Sequence, residues 1–499
     1  MNYNNDIKSI DGLFKPQTVA IFEAKENFSF FVEGFKTQGF NLENLYLISP
    51  TEEELLGIKC YKSFGDIPTN TIDLLILAVG RNRLIQSLRE ILAVKIVRFI
   101  HFFTARTGEA DDIGVKIEDE IRDILDHEYP NTRAIGPNCM GVYCPNHSAY
   151  LPDFPTEKGV IGLIYHSGDL CTRTIRYGFM RHNLTFSKGA SIGNCVNLQV
   201  SDFLEYFNQD DETEIIVIYF EGFSRYGQNE GRKLFNILKS MRKPVLFLRG
   251  GKTKRGRSAV LTHTGSLGTD EKIWRAVYSQ TPLIEVGSSI NELIDFLFIF
   301  NKFYKNNQNL SLKEQLNVYP KGKNTLIIIW SGGLGILDTD TLTELGLNLP
   351  LFDDKTIEKL MKIYPIKVGS LSNPLDLPWI SSRRYQQYLD LCKAAITEDI
   401  QLVVMHTDAR HRDKKSFETM YNNLTIMKEY IESLNKILIL ILPDSPLVIR
   451  KRYYKRLVKD GFIVYSDTRR ATKAFIAFYE HGRKLRLTFK NELKEKIEK

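Results

Sequence analysis

Short apolar runs of strand length alternate along the chain with longer segments in which apolar residues recur every three to four positions. The runs at 18–22, 45–48 and 73–79 form a first set, those at 160–165, 214–220 and 244–248 a second, and those at 325–330, 402–406 and 437–442 a third. Apolar strands separated by segments of helical period predict parallel sheets covered by helices. Three sequential α/β domains are the economical reading. Periodicity fades at 126–132 and in the Asn-, Lys- and Gln-rich stretch 302–323, so the expected domains cover 1–128, 129–305 and 324–499, with 306–323 as a linker. The Lys-rich end 490–499 reads as a frayed helix.

Composition narrows the functional classes. Hydrophobic residues at 43% and charged residues at 25% match an ordinary globular protein. No apolar run approaches the roughly 20 residues a membrane helix needs, and the first residues lack a basic segment followed by an apolar one, so a cytoplasmic protein without a membrane partner is expected. The net charge of +7 is scattered rather than gathered into a stripe, which favours pockets for anionic ligands over nucleic acid. The six cysteines, at 60, 139, 144, 171, 195 and 392, show no C-x-x-C spacing and read as reduced thiols. No metal site of the chain's own is expected.

The segment 252–268 is basic and rich in glycine and hydroxyl residues, and reads as an anion-binding loop. His263 lies within it, before Thr264 and Gly265, and an unprotonated imidazole there is a competent nucleophile. Glu221 stands at the carboxyl end of an apolar strand, where it could hold one imidazole nitrogen and free the other to attack, or simply pair with a nearby cation. Ser167 and Gly168 follow another strand at an expected helix start, and Ser191, Gly193 and Asn194 form a further small-residue turn. Helix N-termini offer free N–H groups and partial positive charge to a phosphate. Taken singly, such turns are capping sites, and their meaning depends on meeting in space. The glycine-rich turn 331–335 also follows a strand but lacks the Lys-Ser/Thr of a P-loop.

In order, these motifs resemble one family. Residues 136–142 look like the G-P-N-C-x-G-V turn of ADP-forming acyl-CoA synthetases, relatives of succinyl-CoA synthetase. Residues 164–170 look like the family's I-S-Q-S-G-A-L, and 191–194 like its S-x-G-N. The run 202–222 and the Thr-His-Thr-Gly at 262–265 follow in place, as do 331–335 and the N-P-x-D at 373–376. The resemblance implies a Rossmann-like CoA-binding domain followed by two flavodoxin-like parallel-sheet domains. It implies His263 as a phosphohistidine with Glu221 as its orienting carboxylate, and Ser167, Gly168, Ser191, Gly193, Asn194, Thr264 and Gly265 around the phosphate. CoA and the acyl group would meet Ser49, Pro50, Thr104, Arg106 and Asn138. The substrates implied are an acyl-CoA or its carboxylic acid, and phosphate. No ATP-grasp region is recognisable, so ATP or ADP and Mg²⁺ would come with a β-type ATP-grasp subunit in an α2β2 hetero-oligomer.

Four positions depart from the family pattern. Glu23 stands where the first strand's turn has glycine, Arg106 replaces a glycine in the T-A-G-F-x-E turn, and Asp169 replaces a small residue next to Gly168, with His166 in place of a polar neutral residue. A Cβ and a negative charge at residue 23 are expected to oppose a diphosphate. The alternatives are a non-catalytic scaffold or regulatory subunit, or a phosphohistidine enzyme with a non-CoA acyl or carbamoyl donor.

Overall fold

The computed structural model describes residues 10–264, 270–287, 289–307, 310–365, 369–377, 385–407, 414–444 and 448–497. They build three sheets in two compact units, Met1–Leu293 and Ile294–Lys499.

The first sheet contains β1 (Val19–Phe22), β2 (Leu45–Ile48), β3 (Glu54–Leu55), β4 (Ile58–Tyr61), β5 (Thr71–Leu77), β6 (Ile96–Phe102) and β7 (Arg133–Ile135), in the order β3-β4-β2-β1-β5-β6-β7. Only the β3–β4 pair is antiparallel. From β1 the chain winds outward through β2 to β4, then returns to the other side of β1 with β5. The carboxyl ends of β1 and β5 therefore border a crevice where strand order reverses, the usual ligand position in such sheets. In the helix Leu84–Val94 the buried apolar residues are Leu84, Leu88, Ile91 and Leu92, one face at helical spacing. That face packs with Ala20, Leu75, Leu77 and Phe102 of the strands. Each such side chain, fully buried, contributes roughly 1.5–3 kcal/mol.

The second sheet lies in the same unit. It contains β8 (Gly141–Tyr143), β9 (Lys158–Tyr165), β10 (Phe186–Ser191), β11 (Ile215–Phe220), β12 (Val245–Arg249) and β13 (Ile284–Glu285), ordered β13-β12-β11-β9-β10-β8. Strand β9 is flanked by β10 and β11, which makes a second switch point, and β8 runs antiparallel to β10. The two sheets are stitched together by backbone bonds from Gly136 N to Ile192 O, Asn194 N to Pro137 O and Val196 N to Gly136 O, at 2.9–3.1 Å.

The second unit holds β14 (Thr325–Ile329), β15 (Ser370–Leu371), β16 (Leu375–Asp376), β17 (Leu402–His406), β18 (Ile437–Ile441) and β19 (Ile463–Tyr465), ordered β15-β16-β14-β17-β18-β19. The predicted fold class, a Rossmann-like sheet and two further parallel-dominated sheets, is what the structure contains.

Two local expectations change. The stretch read as a linker carries the helix Leu312–Val318, started by a reciprocal capping box between Ser311 and Glu314. The basic segment read as a loop is a helix over Lys254–Thr264. Its start is capped by Thr253, whose hydroxyl accepts the Gly256 N–H at 3.0 Å, and Arg, Ser, Ala, Val and Leu are all compatible with a helix. The carboxyl-terminal helix runs from Thr468 to Ile497.

Candidate functional site

Both switch points of the first unit open into one cavity of about 940 Å³. From the first sheet come Lys25 and Phe28 after β1, residues 78–83 after β5, and Phe103, Thr104, Ala105 and Arg106 after β6. The second contributes His166, Ser167, Gly168 and Asp169 after β9, and Gly193 and Asn194 after β10. The connection between the sheets adds Asn138, Cys139 and Met140.

Each side chain there has a local cause. Ser167 caps the 15-residue helix Gly168–His182, its hydroxyl accepting from Leu170 N at 3.4 Å, so the positive end of that helix forms part of the wall. Gly168 has no Cβ because Met140 Cγ lies 2.3 Å from where one would stand. Asn194 is pinned by Glu109, Glu118 and Thr107, its Nδ2 lying 2.6, 2.7 and 3.2 Å from their oxygens. Burial raises the Glu118 carboxyl even though Asn194, Thr107 and Gly108 donate to it. Thr104 spends its hydroxyl on Val79 O at 2.8 Å.

Charge at the cavity is mainly positive. Lys25, Arg81, Arg83 and Arg106 line it, against one carboxylate, Asp169, which is paired with Arg173 at 2.6 Å. Arg81 is fixed by Asp111 Oδ2 at 2.7 Å and Arg106 O at 3.1 Å. Glu23 lies behind the wall. It is 5% exposed and holds the Arg83 guanidinium and, at 3.2 Å, the Lys25 ammonium. The negative charge expected to repel an anion is thus neutralised by two cations. Glu23 and Arg106, the two residues that replace family glycines, both keep positive φ, 60° and 64°. The backbone path that favours glycine is retained.

Family profiles agree with this layout. A CoA binding domain matches residues 24–145, and a succinyl-CoA ligase-like flavodoxin domain matches residues 158–300. The chain is 30% identical, over 78% of its length and 80% of the relative's, to the acetate–CoA ligase [ADP-forming] II subunit alpha of Pyrococcus furiosus. The chain belongs to the ADP-forming acyl-CoA synthetase family. It is also 32% identical to the acetate–CoA ligase [ADP-forming] I of Archaeoglobus fulgidus, over 82% of its own length but only 57% of that protein. A solved structure, that of the Ca. Korarchaeum cryptofilum dinucleotide forming acetyl-coenzyme A synthetase 1 in complex with phosphate and ADP, superposes with a TM-score of 0.76 at 22% identity. It covers 97% of this chain and 98% of that one. This structural likeness shows the fold.

Seven residues singled out from the synthetase motifs meet in the cavity: Thr104, Arg106, Asn138, Ser167, Gly168, Gly193 and Asn194. Ser191 is buried beside it, its hydroxyl accepting the Met140 N–H at 3.1 Å. Ser49 and Pro50 follow β2 and do not line the cavity, and the Ser49 hydroxyl accepts from Glu52 N within its own turn. Glu221 is buried directly after β11, and the Tyr219 phenol is pushed up by burial and by that carboxylate. The backbone of His263 and Thr264 lies in the last turn of the helix Lys254–Thr264, while their side chains and Gly265 lie outside the described residues. Sequence reasoning missed Lys25, Arg81 and Arg83. The signal was their place just after β1 and β5, the two strands that border the switch point.

Proposed function

We propose that this chain is the α-type, histidine-bearing subunit of an ADP-forming acyl-CoA synthetase. It interconverts acyl-CoA, ADP and phosphate with acid, CoA and ATP. Phosphate attacks the thioester, the resulting acyl phosphate passes its phosphoryl group to His263, and phosphohistidine then phosphorylates ADP. Residues 1–128 form the CoA-binding domain, 129–305 the phosphohistidine domain and 324–499 a further ligase domain. The nucleotide and Mg²⁺ are supplied by a β-type ATP-grasp partner, in an α2β2 assembly in the cytoplasm.

The observation that carries this reading is the meeting of Arg106 and Asn138 with Ser167, Gly168, Gly193 and Asn194 in one cation-rich cavity. Lys25, Arg81, Arg83 and Arg106, still net positive after their pairs with Glu23 and Asp111, and a helix N-terminus suit the phosphates of CoA and the attacking phosphate. Phe28, Phe103 and Met140 offer apolar surface to an acyl group. Neutralisation of Glu23 removes the main electrostatic objection to CoA. Glu221 serves as the carboxylate that orients His263, in keeping with its burial at the end of β11.

Phosphoenzyme formation tests the reading. The chain is mixed with a β-type ATP-grasp subunit, γ-labelled ATP and Mg²⁺. Acid-labile, base-stable label is expected on wild type, is absent from His263→Ala and is strongly reduced in Glu221→Ala. Unlabelled wild type, with a partner of proven competence, refutes the proposal.

A further inference from the structure

His166 is a titratable ring in the cavity wall that the phosphotransfer steps leave unused. Its Nδ1 accepts the backbone N–H of Glu221 at 3.1 Å. A nitrogen that accepts carries no proton, so the neutral ring holds its proton on Nε2. Burial pulls this imidazole down to about 4, which keeps it neutral near pH 7. The residue is 7% exposed and its ring packs against Phe220 at a 39° tilt with centroids 5.3 Å apart, so its orientation is fixed. Among the described residues none bonds to Nε2, and His166 belongs to the cavity wall. With no such partner and a place in the cavity wall, this donor is open to a ligand oxygen.

We infer that His166 donates from Nε2 to the carbonyl oxygen of the acyl thioester bound in the cavity, and is a catalytic residue of the acyl-transfer half-reaction. The inference rests on the function proposed above. A neutral, pre-oriented N–H suits an oxygen that is uncharged in the substrate and gains charge in the transition state. It suits a bound dianion less well, because the ring has no positive charge to offer and Asp169 also lines the cavity. In the step, an oxygen of hydrogen phosphate forms a bond to the thioester carbon while the carbonyl π pair moves to oxygen, where the Nε2–H meets it. Collapse of the adduct restores the carbonyl and breaks the C–S bond. Acyl phosphate is released, and the proton of hydrogen phosphate ends on the CoA thiol. His166 itself neither gains nor loses a proton.

Two ways of labelling His263 separate this role from a structural one. Acyl-CoA with labelled inorganic phosphate must pass through the thioester step, whereas labelled acyl phosphate enters after it. Acetyl, 4-hydroxybutyryl and feruloyl derivatives serve as probes, and the one that labels wild type is used. His166→Phe keeps a ring against Phe220 and removes the donor. It is expected to slow labelling from acyl-CoA by roughly 100-fold or more, as loss of an oxyanion donor does, and to leave labelling from acyl phosphate within about threefold. His166→Gln restores an N–H donor and is expected to recover most of the acyl-CoA rate. If His166→Phe slows both routes equally, or neither, the inference is overturned. Should His166→Phe not fold, His166→Leu and His166→Gln carry the comparison, and a Gln variant no faster than Leu from acyl-CoA also overturns it. Wild type unlabelled by every acyl-CoA and every acyl phosphate sinks the proposed function itself, and this inference with it.

Discussion

The carboxylate of Glu23, buried at the end of β1, is paired with the guanidinium of Arg83, which lies 60 positions further along the chain. The pair joins the two sides of the first switch point. Arg83 and Lys25 are 61% and 47% exposed as side chains, so neither needs Glu23 for its own solvation. Glu23→Gly therefore frees two cavity cations and removes a Cβ from a backbone at φ 60°. Removing one nearby negative charge in a partly screened site is worth about 1 kcal/mol, or roughly fivefold in affinity. CoA binding followed by calorimetry should tighten by that factor, more at low than at high ionic strength. Weaker binding would mean that Glu23 positions the cations rather than restraining them.

Much of the fold was legible because strand burial is written in local composition. Each of the nine apolar runs lies within two residues of an observed strand at either end, and 45–48 and 402–406 coincide with β2 and β17. The site was legible only in part. Ser49 and Pro50 looked equivalent to other strand-end residues, but they follow β2, and the cavity opens where β1 meets β5. The neutralisation of Glu23 depends on a partner 60 residues away, which no local pattern announces. The helix at Lys254–Thr264 was hidden by its basic and hydroxyl residues, which suit an anion-binding loop equally well.

Gly193 should prove irreplaceable, for steric rather than chemical reasons. It has φ 57°, and an added Cβ would stand 2.1 Å from Pro137 O and 2.7 Å from Asn138 O, both backbone atoms in the loop that stitches the two sheets. Left-handed backbone and overpacking together predict that Gly193→Ala costs roughly 2–5 kcal/mol in denaturant unfolding. Gly80, also in the cavity wall, has φ −65° and nothing within 4 Å of a Cβ. Gly80→Ala is expected to stay within about 0.5 kcal/mol of wild type. Equal costs at the two positions would contradict the packing argument.

Lys188 on β10 supports the strand whose end carries the Ser191–Asn194 turn. Its side chain is wholly buried, and its ammonium donates to Asp210 at 2.8 and 2.9 Å and to Glu212 at 2.6 Å. Burial opposes ionisation of Glu212, yet hydrogen bonds from Lys15 and Lys188 bring that carboxyl down to about 2. Lys188→Met leaves Asp210 buried without its cation and should destabilise by roughly 3–5 kcal/mol. Adding Asp210→Asn to Lys188→Met should recover part of the loss, since no buried charge is then unpaired. A double variant no more stable than Lys188→Met alone would show that the loss comes from packing, not charge.

Two buried imidazoles make the first unit acid-sensitive. Burial pulls both His101 and His166 down from 6.5 to about 4, although the Cys139 carbonyl, which accepts from His101 Nε2 at 3.0 Å, works the other way. Between about pH 6.5 and 4 the unfolded chain binds these protons while the native protein does not. Stability therefore rises with pH through that window, and it is lost as pH falls from 6.5 towards 4. Each histidine accounts for roughly 3 kcal/mol across the full window and about 2 kcal/mol between pH 7 and pH 5. Urea unfolding at these two pH values measures the difference. In His166→Phe, which removes one of the two groups and keeps a ring against Phe220, the drop from pH 7 to pH 5 should shrink by about 2 kcal/mol. An unchanged drop would mean that the His166 ring takes up its proton in the folded protein, in which case Nδ1 could no longer be the acceptor of the Glu221 N–H.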